Sequence, residues 1–235
     1  MLIVFVPSIT FANNNKIASI IEISGEVIVL NEEGEERELA IFDSIFLEDE
    51  VLIGDASSAT IQFNDNTTII LKELTSLNVK EFEESEAKKI FKMKLGKGEI
   101  IIESGSIAKN KNGEMLVDLS NMSLGVRGTR FNVGIANDGK SKVALAEDSF
   151  GDIGEIEISS EGETTNLKST DQVVEVTKDR KIDQREQSAD EKKELKSVSE
   201  TLVKVSKIDE NELEQQLKEK LEKGKLQDEN NDVVI

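Results

Sequence analysis

From Ile17 to about Val176, apolar side chains recur mostly at every second position, and Gly, Asn and Asp interrupt them at short intervals. That period predicts many brief, half-buried strands and leaves little room for helix. The expected strands cover 17–23, 26–30, 51–53, 59–63, 68–71, 76–79, 89–95, 99–103, 115–119, 130–135, 142–146, 153–158 and 172–176. Turns are expected at 31–36 around Gly34, at Asn64-Asp65-Asn66 and at Asn137-Asp138-Gly139, whose residues tolerate positive φ. The segment GKGE from Gly96 to Glu99 is expected to turn between two strands, and one helical turn is expected near 39–45.

After Lys178 the period changes. Leu195, Val198, Leu202 and Val205 form one helical stripe; Leu213, Leu217 and Leu221 form a second, with Asp209 as its N-cap and Gly224 as its stop. Short helices of this kind need tertiary contacts to persist. At the other end, MLIVFVPSITFA is an apolar run broken by Pro7 and followed by polar residues, the pattern of a secretory signal. No basic residue precedes it, so the true start is expected upstream. The resulting division is a signal peptide at 1–12, an all-β domain at 17–178, a helical extension at 186–224 and a disordered tail at 225–235. The location expected for the mature protein is periplasmic or secreted, with no membrane span.

Composition removes whole classes of chemistry. With no Cys and no His, the chain cannot form a thiolate or imidazole metal site, a cysteine nucleophile or a histidine-based triad. The 48 Asp and Glu against 29 Lys and Arg give a net charge of -19, which disfavours nucleic acid and anionic membrane as partners. Carboxylates such as Glu147, Asp148 and Asp152 neighbour one another, yet nothing marks any as a general acid, and sugar-stacking Trp and Tyr are absent. The loops ANDGKSK and AEDSFGDIGE lack the spacing of a complete calcium loop. No cofactor and no metal are expected. Asn66-Thr67-Thr68 and Asn121-Met122-Ser123 match the glycosylation pattern, which has meaning only in a eukaryotic secretory route.

One stretch stands out, SLGVRGTRFNV at 123–133, with two arginines three residues apart. In one continuous strand, Arg127 and Arg130 would point to opposite faces, as would Val126 and Phe131. Burying both Val126 and Phe131 requires a one-residue slip, and Gly128 is the natural place for it. The slip is expected to turn Arg127 and Arg130 to the same side, where they either brace neighbouring carboxylates or bind an anion or partner. Gly125 and Gly128 are expected to shape the backbone around them.

These residues carry a resemblance. VRGTRF, preceded by GKGEIII, is similar to the FecR domain, the extracytoplasmic module of bacterial iron-dicitrate type signalling regulators. ISGEV at Ile23 to Val27 and VLIGDASSATIQFNDNTTIIL at Val51 to Leu71 resemble that family's turns and strands, and GSIAKN resembles secreted members. The family's Gly-Asp turn stands here as Phe42-Asp43 and Glu48-Asp49, its Asp-Gly turn as Asp65-Asn66, and its pattern after VRGT gains an inserted FGDIG. The resemblance implies a β-helix-like roll, with a sandwich as the alternative, over about 20–176. It further implies a non-enzymatic module that binds another protein or an envelope polymer and is linked to transmembrane signalling. The cytoplasmic sigma-factor-binding segment and membrane helix of a regulator have no counterpart in these residues. The alternative function is an envelope structural or adhesin-like spacer that forms homo-oligomers through its C-terminal helices.

Overall fold

The computed structural model describes residues 16–193 and 195–196. In chain order the strands are β1 (Lys16–Ser24), β2 (Val27–Leu30), β3 (Glu36–Glu38), β4 (Ser44–Phe46), β5 (Glu50–Ile53), β6 (Ser58–Phe63), β7 (Thr68–Leu71), β8 (Ser76–Glu84) and β9 (Lys89–Glu103). A helical turn, α1 (Ser106–Lys109), precedes β10 (Glu114–Asp118), β11 (Ser123–Arg127), β12 (Arg130–Ile135) and β13 (Ser141–Ala146). Then come β14 (Glu155–Ser160), β15 (Glu163–Leu167), β16 (Gln172–Val176) and β17 (Ile182–Glu186). The all-β expectation holds. The helical turn expected near 39–45 does not form; Ser44–Phe46 is a strand there, and among the described residues before 189 the one helical turn is α1.

The 17 strands of the described residues join one mixed sheet, and the hydrogen bonding runs along two ladders. One ladder follows the order β4-β1-β6-β7-β9-β12-β13-β16-β17. The other follows β3-β2-β5-β8-β9-β10-β11-β14-β15. The chain lays hairpins alternately in each. β9 belongs to both: its first part pairs with β8 and β10, its last part with β7 and β12. The expected turn at Gly96 to Glu99 is therefore a passage within one long strand, where Gly98 takes φ +81 beside Thr75. A β-helix stacks parallel strands; among the described residues only β9 with β10 is a parallel pair, so stacked parallel coils are not seen.

Alternation explains the core. In β2, Val27 and Val29 are buried while Ile28 and Leu30 are half-buried. Inward side chains of both ladders form one cluster. Its aromatic part joins Phe63 of the first ladder to Phe91 and Phe82 of the second, with ring centroids 4.7 Å apart for Phe63–Phe91 and 5.0 Å for Phe82–Phe91. Each fully buried ring of this kind stabilises the fold by about 1.5–3 kcal/mol.

Two turns repeat one device. Asp43 accepts the Ala40 N–H and Asp49 accepts the Phe46 N–H, each at 2.9 Å. The residue before each aspartate is left-handed, Phe42 at φ 75 and Glu48 at φ 68, and Asn66 at φ 65 occupies the Asp65-Asn66 turn.

The sheet runs on past residue 178 to β17, beyond the expected end of the β domain. Helical turns follow at 189–193 and 195–196. Leu195, 6% exposed, packs on Ala144 and Val173. The expected signal at 1–12, the stripes beyond Lys196 and the tail at 225–235 lie outside the described residues.

Candidate functional site

Between β11 and β12 the chain leaves one ladder for the other. Gly128 makes the crossing at φ +48, the region that disfavours side chains. Thr129 is locked at the step: its N–H donates to Ser104 Oγ at 2.8 Å, and Ser104 Oγ donates to the Thr129 carbonyl at 2.9 Å. Val126 and Phe131 are both buried across the slip, as expected.

The two arginines do not share a side. Arg127 ends β11 exposed, and its side chain has no ion pair with a described residue; Arg130 begins β12 and is 3% exposed. The expectation of a shared side treats the slip as a bulge in one strand, whereas a crossing between ladders also rotates the chain. Gly125 needs no backbone freedom, because a Cβ there would meet only Glu157 at ordinary contact distance, 3.8 Å. Gly128 takes a positive φ at the crossing, and Gly125 does not.

Arg130 lies directly opposite Glu103 of β9. Its Nε donates to Glu103 Oε2 at 2.5 Å and its Nη2 donates to Ser149 Oγ at 2.9 Å. The second carboxylate oxygen of Glu103 accepts the Ser149 N–H at 3.1 Å. The buried pair thus grips the loop that follows β13, and of the two uses foreseen for the arginines, Arg130 serves as a brace.

That loop, 147–152, is tied down from its other side as well. Asp148 Oδ1 accepts the N–H groups of Phe150 and Asp152, at 2.9 and 3.0 Å, while Oδ2 accepts Lys109 Nζ at 3.0 Å. Burial alone would raise the Asp148 carboxyl; the Asp152 N–H, the Lys109 ammonium and the Phe150 N–H outweigh it and hold it below the usual range. Gly151 closes the turn at φ +84, with its N–H on the Asp148 carbonyl. The result is a braced loop holding Phe150 82% exposed, with Lys109 Nζ 5.1 Å from its ring centroid. Ile153, 46% exposed, follows, and Gly154 presses on the Gly128 carbonyl so closely that a Cβ would lie 2.0 Å from it.

A groove lies on each side of the loop. One, about 510 Å³, is lined by Lys109, Lys111, Arg127, Phe150 and Asp152 among others. The other, about 420 Å³, is reached by Arg130, Thr170, Gln187 and Leu195. Glu147, Asp148 and Asp152, weighed in the sequence as carboxylates for hydrolysis, belong to this loop, but Asp148 is fully engaged as a turn former. Among the described residues no group of three acidic side chains is placed to hold a metal ion. Sequence reasoning missed Glu103, Lys109, Ser149 and Phe150. The available signal was an aromatic residue inside DSFGD, whose aspartates and glycine favour a tight turn.

Residues 49–149 match the family described as FecR protein. Two crystal structures of a candidate anti-sigma factor from Parabacteroides distasonis ATCC 8503 are similar at 15% and 16% identity, each with a TM-score of 0.48 over 60% of this chain. The chain spans 60% of the length of each. A cell surface anchoring domain aligns at 35% identity over 26% of this chain and 82% of its own, with a TM-score of 0.26. None of the curated proteins matches the chain.

Proposed function

We propose, from the premise that this chain carries a FecR domain over residues 49–149, that it is a non-enzymatic binding module of a bacterial envelope signalling system. Its site of action is extracytoplasmic, and it engages another protein or an envelope polymer. The observation that carries this reading is Phe150, an aromatic side chain held in solvent by a loop braced through Arg130, Glu103, Asp148 and Lys109. An exposed aromatic on a braced loop loses little backbone freedom on contact, which favours binding. A FecR domain is signalling-related, and the apolar leader-like run at 1–12 supports export. Among the described residues no helix is long and apolar enough to cross a membrane. The spacer reading finds less support, because Leu195, the first residue of the stripe it would use for assembly, is packed on the chain's own β domain.

The test is cross-linking of the full chain in its own cells, followed by fractionation and mass spectrometry. A reproducible partner in the envelope fraction is the expected result. A chain confined to the cytoplasm, or one that releases product from envelope glycans with or without calcium, overturns the proposal.

A further inference from the structure

We propose that the groove beside Phe150 receives an acidic protein segment that lays an apolar side chain against the Phe150 ring and its carboxylates against Lys111 and Arg127; this rests on the binding-module reading above.

Four large apolar side chains are exposed among the described residues, and two of them, Phe150 in that loop and Ile153 just after it, lie three residues apart. Neither ring nor methyls are needed by the core, which is complete without them. Leaving two such groups in water three residues apart is a cost that contact with a partner removes. The loop does not collapse to hide them, because Asp148 fixes it through two N–H groups and Lys109, and the Arg130–Glu103 pair fixes it through Ser149.

The charge around the ring selects the partner. In a chain of net charge -19, the groove gathers Lys109, Lys111 and Arg127. Lys109 is answered by Asp148. Lys111 and Arg127 have no ion pair with any described residue, and Asp152 is the other carboxylate lining the groove. On the far side of Arg127, a hollow lined by Glu114, Glu155 and Glu157 bounds the cationic surface. Glu155 is itself paired with Lys168 at 3.0 Å and Glu114 with Lys92 at 3.7 Å, which leaves Glu157 as the carboxylate there without an ion pair to a described residue. An acidic segment is thus drawn to one side of Arg127 and repelled from the other, which gives direction as well as attraction. A volume of about 510 Å³ suits a few residues of extended chain. A lipid surface is the weaker fit: it would have to approach a strongly anionic molecule past those glutamates.

The experiment pans a phage-displayed random peptide library on the immobilised full-length chain, then measures one recovered peptide by fluorescence polarisation at low and high salt. The expected consensus holds two or more Asp or Glu around an apolar residue. Phe150→Ala weakens that peptide about tenfold. Lys111→Glu with Arg127→Glu weakens it at least as much and flattens its salt dependence. Circular dichroism and thermal unfolding of both variants stay as in the parent, since none of the three side chains is part of the core.

A consensus without acidic residues, or equal affinity for Phe150→Ala, overturns the inference. So does phosphatidylglycerol vesicle binding, or dimerisation in sedimentation, that Phe150→Ala abolishes while no peptide binds. If a cross-linked envelope partner persists in Phe150→Ala, this surface is refuted and the module reading stands. If neither peptide nor partner is recovered, both fall.

Discussion

Arg130 and Glu103 face each other across neighbouring antiparallel strands, and the guanidinium and carboxylate meet at 2.5 Å where both are nearly sealed from water. Each also bonds Ser149, so one buried pair links the sheet to the loop that displays Phe150. Removing one partner leaves a buried charge unanswered, which costs about 3–5 kcal/mol. Glu103→Ala is therefore expected to lower the urea midpoint sharply, and Arg130→Met with Glu103→Leu to recover most of the loss. Hydrogen exchange checks the link to the loop: amides at 148–152 should exchange faster in both variants, because even the stable apolar pair no longer holds Ser149.

The crossing at Gly128 gives a paired test with opposite outcomes. At φ +48 an alanine is strained by about 1–2 kcal/mol, and its Cβ would stand 3.2 Å from Lys109 Cγ. At Gly125 the φ is ordinary and the added carbon meets open space apart from Glu157. Chemical unfolding should show Gly128→Ala destabilised by at least that amount and Gly125→Ala unchanged within about 0.5 kcal/mol. Equal effects would mean that the glycines serve the strand pair and not the crossing.

How much of this was legible in the sequence follows from the range of the interactions. The period of two locates β7, β12 and β16 to the residue, because alternation is local. The phase break at 126–131 is also local, since it needs only that Val126 and Phe131 both be inside. Where Arg130 points is not local: it depends on the chain changing ladders, and on Glu103 standing opposite. The loop was visible only as an insertion, because its anchors come from Ser149–Glu103 and Lys109–Asp148, separated by 46 and 39 residues. β3, β4, β15 and β17 escaped for another reason: the first three are short or polar, and β17, IDQRE, has one apolar residue.

Acid should loosen the end of the domain first. The Arg185 guanidinium, helped by the Ser188 N–H and Lys142, holds the Glu191 carboxyl far below its ordinary range despite burial. Glu175 is raised by burial but lowered more by Arg185 and Lys140. For both groups the unfolded chain binds protons at a pH where the folded chain does not, so stability rises with pH. Their contribution is present above about pH 4.5 and is lost as pH falls toward the folded values. Asp49 and Asp65, raised by burial, act in the opposite sense: their contribution is lost as pH rises through their folded values. Glu191→Gln isolates the first effect. Urea midpoints measured at pH 7, 5, 4 and 3 should start lower in the variant and converge on the parent in acid; parallel curves would remove Glu191 from the acid response.

Where the folded unit ends can be decided by two truncations. β17 covers the outer edge of β16, with Ile182 paired to Val176, and Arg185 joins Glu175 to Glu191. Beyond it, Leu195 closes over Ala144 and Val173, a burial that contributes about 1.5–3 kcal/mol. Stopping the chain after Lys178 removes all of this and bares a hydrogen-bonding edge whose neighbours Val173 and Val174 are fully buried. Stopping it after Lys196 removes none of it. The shorter chain is expected to unfold at lower urea concentration by about 3 kcal/mol or more and to associate through the bared edge in sedimentation velocity. The chain ending at Lys196 should match the full chain in unfolding. If the two truncations unfold alike, the strand and the leucine contribute nothing to the fold, and the domain closes at β16.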